Sequence, residues 1–69
     1  MTQYTGLGGW VTNNPDVAKQ LRAADHRYEV AKIRAAGLPL GQKVERYREA
    51  KQVRDREYDA IFANEEALQ

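Results

Sequence analysis

From Val17 to Leu38 the apolar residues recur at intervals of four and three: Val17, Leu21, Ala24, Tyr28, Ala31, Ala35 and Leu38. A chain with this spacing carries one continuous apolar stripe along a helix and must bury it against another helix, as in a coiled coil or tight antiparallel bundle. Three of the seven are alanines, and such small side chains let a facing helix approach closely.

The ends of this helix are also written in the sequence. Asn14 is a good N-cap, because its side-chain oxygen accepts from an otherwise unpaired N–H, and Pro15 suits the first helical position. Asp16 places negative charge beside the positive end of the helix dipole. At the other end Gly37 is expected in the left-handed conformation that closes a helix, and Pro39 blocks continuation. A second apolar sector follows in Leu40, Val44, Tyr47, Ala50, Tyr58, Ile61, Phe62 and Leu68. The expected fold is all-α: an antiparallel two-helix hairpin over 14–69, with helix one over about 15–36, a turn at 37–41 and helix two over about 42–67, its start falling near Pro39 to Gln42. Folding about Pro39 pairs residues whose numbers sum to roughly 79, setting Leu21 opposite Tyr58, Val17 opposite Phe62, Ala35 opposite Val44 and Tyr28 opposite Ala50 and Lys51. Residues 1–13, MTQYTGLGGWVTN, hold three of the five glycines and show neither a period of 2 nor one of 3.6. They read as an irregular arm.

Two features do not fit a lone hairpin. Arg54 falls inside the apolar sector of the second helix, where a guanidinium needs a partner or an exit to water. Either it pairs with Asp25 across the seam, or its stem lies on the core and the head reaches solvent. On the first helix Ala23, Val30 and Ile33 lie opposite the main stripe, with His26 among them. A hairpin cannot cover both faces of that helix, so the arm folds back with Trp10 and Leu7, or a second copy packs there. The expectation combines the two: a homodimer forming a four-helix bundle, with the arms tucked against it.

Composition supports assembly. Sixty-nine residues make one small domain, and a chain this short buries only about 60% of its unfolded surface. There is no cysteine, so no disulfide or thiolate metal site stabilises it. Small domains without either rely on helix packing or oligomerisation. No apolar run approaches the roughly 20 residues of a membrane span, and the first residues lack the basic-then-apolar layout of a signal peptide. A soluble, cytoplasmic protein without membrane association is the expectation.

Net charge is only +1, but it is unevenly placed. Residues 32–54 carry Lys32, Arg34, Lys43, Arg46, Arg48, Lys51 and Arg54 against Glu45 and Glu49. The remaining residues carry four cations against eight anions. Lys32 and Arg34 suit the end of the first helix, whereas Lys43 and Arg46 open the second, where cations are unfavourable. Three readings stay open for this basic end. It binds phosphate or an acidic protein surface, it lies beside the acidic end of a second copy, or it is ordinary solvated surface.

No chemistry stands out. GLGG follows no strand, lacks the Lys-Ser/Thr ending of a phosphate loop, and is read as a hinge. His26 beside Asp25 and Glu29 lacks a second ligand group of matching spacing. No nucleophile–base pair is recognisable. Trp10 is an apolar anchor for a bundle or a partner, since aromatic residues dominate binding hot spots. The run IRAAGLPLG followed by VERYREA resembles, over about 17 residues, the turn before the dimerisation helix of mercury-resistance-type regulators. Their upstream winged DNA-binding motif is absent, Lys43 stands where that family has an apolar residue, and no family is assigned.

The sequence therefore reads as a non-enzymatic, cofactor-free and metal-free interaction module: an adaptor, inhibitor or assembly factor that self-associates and binds a larger protein. Its candidate partner-binding residues are Trp10, Leu7, Val30, Ile33, Arg34, Lys43, Arg46 and Arg48. The alternatives are a nucleic-acid-binding accessory factor that uses the basic turn end, with weak binding expected, and a structural subunit whose arm threads into a neighbour.

Overall fold

The computed structural model describes residues 2–67 of the chain. Two short strands, β1 (Tyr4–Thr5) and β2 (Val11–Thr12), precede two helices, α1 (Pro15–Ala35) and α2 (Leu40–Ala67). The helices pack against each other as a helical hairpin, and the molecule measures 45 × 21 × 14 Å. Leu68, assigned from sequence to the apolar sector of the second helix, lies outside the described residues.

α1 begins as its residue types dictate. The Asn14 side chain accepts from the backbone N–H of Asp16 at 2.9 Å and of Val17 at 3.4 Å, satisfying two donors that a helix start leaves open. Its end differs from expectation. Gly37 does not adopt a positive φ, and among the described residues the single positive-φ glycine is Gly9, at +81°. The helix tightens instead, with Ala36 N–H donating to the Ile33 carbonyl at 3.2 Å and Leu38 N–H to the Ala35 carbonyl at 3.0 Å. Such tight bonds satisfy the last carbonyls without a left-handed residue. Pro39, lacking an N–H and fixed in φ, then stops the chain. Its carbonyl accepts from Lys43 N–H at 2.9 Å, so α2 starts at Leu40, within the Pro39–Gln42 stretch the sequence suggests, and includes Gly41.

The arm is not irregular. β1 and β2 pair antiparallel, Tyr4 with Thr12 and Thr5 with Val11, closed by a turn in which Gly9 N–H donates to the Gly6 carbonyl at 3.1 Å. The positive φ of Gly9 makes that turn accessible, a conformation costing a side-chain-bearing residue roughly 1–2 kcal/mol. Strands of two residues are too short for a period of 2 to show in the sequence. The loop between them brings Trp10 onto α1.

The core sits at the open end of the hairpin. Trp10, Val17, Ala18 and Leu21 are buried together, with Tyr4, Tyr58, Ile61 and Phe62 packed against them. Leu21 is fully enclosed, a burial worth roughly 1.5–3 kcal/mol. Polar contacts across the hairpin join Arg27 to Glu57, Asp25 to Tyr58 and Tyr28 to Arg54. These pairs lie about one helical turn from the register set by folding about Pro39. Side chains lean toward the N-terminus of their own helix, so in antiparallel helices the tips from α1 and α2 meet at higher number sums than their backbones do.

Candidate functional site

Three places on the hairpin gather side chains that could do more than hold the fold. The first is the arm's seat. Trp10 Nε1–H donates to Asp25 Oδ2 at 2.9 Å, and Tyr58 O–H donates to Asp25 Oδ1. One carboxylate on α1 thus ties down both the arm and α2. Burial, and then the hydrogen bond to Asp25, push the Tyr58 phenol well above its usual range. Gly6 and Gly8 of GLGG fit this seat closely. A Cβ on Gly6 would collide with the Trp10 indole, and one on Gly8 would lie 2.9 Å from Tyr58 Cε2 and Cζ and nearer still to its hydroxyl. GLGG, read as a hinge, is therefore a packed turn. Trp10 is 5% exposed and serves as the anchor within the chain's own core, while Leu7, at the tip of the loop, is 89% exposed.

Because Asp25 is occupied by Trp10 and Tyr58, it does not pair with Arg54. The Arg54 guanidinium lies 4.4 Å from the Tyr28 ring centroid and 5.4 Å from that of Tyr58, and its Nη2 reaches Asp55 Oδ1 at 3.3 Å. Two aromatic faces and a neighbouring carboxylate satisfy a cation held inside the apolar sector. Neither sequence expectation describes this arrangement.

The second place is the closed end, around the turn. Lys32 Nζ lies 5.2 Å from the Tyr28 centroid and 5.9 Å from that of Tyr47, and Lys43 Nζ lies 5.8 Å from Tyr47. Lys43, a cation at the start of α2 and unfavourable toward the helix dipole, is thereby partly compensated by a ring face. Arg34 and Arg48 are exposed, and exposed Arg46 lies 3.5 Å from Glu49. Large apolar side chains stand among these cations: Ile33 is 71% exposed, Leu40 77% and Val44 46%. Val30 is half-buried. The arm does not reach the Ala23–Val30–Ile33 side of α1. It covers the flank that carries Ala18, Arg22 and Asp25, with Tyr4 stacked 5.9 Å from the Arg22 guanidinium.

The third place is an open groove of about 450 Å³ between the helices. Ala24, Ala31, Ala35 and Ala50 line it, with Arg27, Arg34, Arg46, Glu49, Val53 and Glu57 among its other lining residues. Arg27 Nε donates to Glu57 Oε2 at 2.9 Å and ties α1 to α2 beside it. Sequence reasoning recognised the alanines as a close-approach surface for α2. Tyr28, Leu38 and Arg54 line the groove as well, and the alanines leave open space among these larger side chains.

Among the described residues no cluster of three or more His, Cys, Asp or Glu is placed to hold a metal ion. No helix among them is long and apolar enough to cross a membrane. Comparison with family models, curated proteins and solved structures finds no match to this chain.

Proposed function

We propose that this protein is a non-enzymatic, self-associating interaction module that docks on a larger protein through the closed end of its hairpin. The observation that carries this reading is the composition of that end. Ile33, Leu40 and Val44 are solvent-exposed in the helical turns flanking the connection, among Arg34, Lys43, Arg46 and Arg48. Exposed large apolar residues rimmed by charge are the mark of a protein-binding surface. Their partner is an acidic surface with an apolar centre, since arginine-containing patches pair with carboxylates. The buried core lies at the other end, so the closed end is free to be specialised for binding.

Glu45 and Glu49 interleave the cations of α2, which weakens the case for a polyanion and favours a protein. Affinity capture from a lysate, with and without nuclease, separates the two. The expected result is a protein retained after nuclease treatment and lost when Leu40→Asp or Arg48→Glu replaces the parent chain. Capture that disappears with nuclease would instead favour the nucleic-acid reading. Both positions are exposed, so circular dichroism of the variants should match the parent.

A further inference from the structure

The alanine-lined groove lies on one side of a layer only 14 Å thick at its thinnest. The chain exposes 5295 Å². A compact monomer of 7.9 kDa is expected to expose about 4,400 Å². The excess, about 900 Å² over the whole molecule, reflects its elongated shape and leaves ample surface for a second copy to cover. The arm occupies the Asp25 flank at its open end, so the groove side is where a further helix can run unobstructed. Its alanines permit interaxial approach at about 8–10 Å.

We infer that a second copy of this chain fills the groove, with its α2 antiparallel to the first α2 and the two-fold axis passing near Val53. This rests on the reading of the protein as self-associating, and adds the face, the orientation and the register. Charge selects the orientation. The part of α2 before Val53 holds Lys43, Arg46, Arg48 and Lys51 against Glu45 and Glu49, and the part after it holds Arg54 and Arg56 against Asp55, Glu57, Asp59, Glu65 and Glu66. An antiparallel pair sets the basic half of each helix along the acidic half of the other, whereas a parallel pair sets like on like. The register brings Glu49 beside Arg56 of the second copy, and Arg46 within a turn of its Glu57, which Arg27 already holds. Val53, a 51% exposed valine beside small residues, becomes the centre of an apolar contact. Two such layers make a four-helix bundle.

The absence of cysteine makes the test direct. Sedimentation equilibrium at micromolar concentration should give twice 7.9 kDa. Under mild oxidation Val53→Cys should become disulfide-linked nearly completely, since bridged Cα atoms lie within about 7 Å, while Ile33→Cys on the outer side of α1 should not. Mixed Glu49→Cys and Arg56→Cys chains should link to each other in preference to themselves. A doubled mass without linkage at Val53 overturns the groove seat and leaves self-association standing. Preferential self-linking at 49 and at 56 overturns the antiparallel orientation. A mass of 7.9 kDa overturns the inference and the self-association on which it rests.

Discussion

The indole of Trp10 and the phenol of Tyr58 meet on one carboxylate, with Trp10 Nε1–H on Asp25 Oδ2 at 2.9 Å and Tyr58 O–H on Oδ1. Asp25→Ala removes both acceptor oxygens, so both bonds are lost and the indole and phenol donors are left without this partner. Hydrogen bonds to charged groups are worth about 1.5–3 kcal/mol, and a destabilisation of at least that size is expected in urea titration. Because the chain has one tryptophan, its fluorescence should also shift toward that of solvated indole. An unchanged midpoint would contradict the contact.

The glycines of the chain should separate into classes. Gly6→Ala and Gly8→Ala push against Trp10 and Tyr58 and should unseat the arm, moving tryptophan fluorescence while leaving most helicity intact. Gly41 lies in the first turn of α2 with nothing within 4 Å of its Cβ position. Gly41→Ala should raise stability by about 0.5–1 kcal/mol, the helix-interior preference for alanine. Equal effects at 6, 8 and 41 would mean the arm is not seated as described.

Leu21 and Tyr58 belong to the same packed cluster. Leu21→Ala should cost about 2–5 kcal/mol, and Tyr58→Ala should also destabilise strongly. In a double-mutant cycle the pair should couple by about 0.5–3 kcal/mol. Simple additivity would place them apart and overturn the hairpin packing.

Tyr58 also makes stability depend on alkaline pH. Its folded-state proton is held above the unfolded value of about 10 by burial and by Asp25. Below that value both states are protonated and the contribution is complete. As pH rises past it, the unfolded chain releases the proton while the folded one retains it, so stability falls. Melting temperature should drop between pH 9 and pH 11, and Tyr58→Phe should make that drop shallower. A parent and variant with parallel profiles would exclude the effect.

The two helices were legible because their signals extend over many residues: a 4–3 stripe, an Asn-Pro start and a proline stop. What escaped sequence reading depends on single contacts between distant residues. Nothing local in DHRYEV says that Asp25 will be claimed by Trp10 and Tyr58, leaving Arg54 to stack on Tyr28. Nothing in TGLGGW distinguishes a hinge from glycines packed against two rings. Gly37 carried the composition of a left-handed cap, but proline two residues on was enough to end the helix. The groove was hidden for a related reason: alanine spacing predicts close approach but does not say where that approach leaves space.

Trp10 rests on Leu21 of α1 and shares Asp25 with Tyr58 of α2, so its seat is assembled from segments far apart in the chain. During synthesis this seat does not exist until residue 58 has been made and has folded back. The arm precedes both helices in the chain yet settles only after them, and chains ended short of Tyr58 would display an unsatisfied indole to proteases and chaperones. Seating of the arm marks a chain whose second helix is in place.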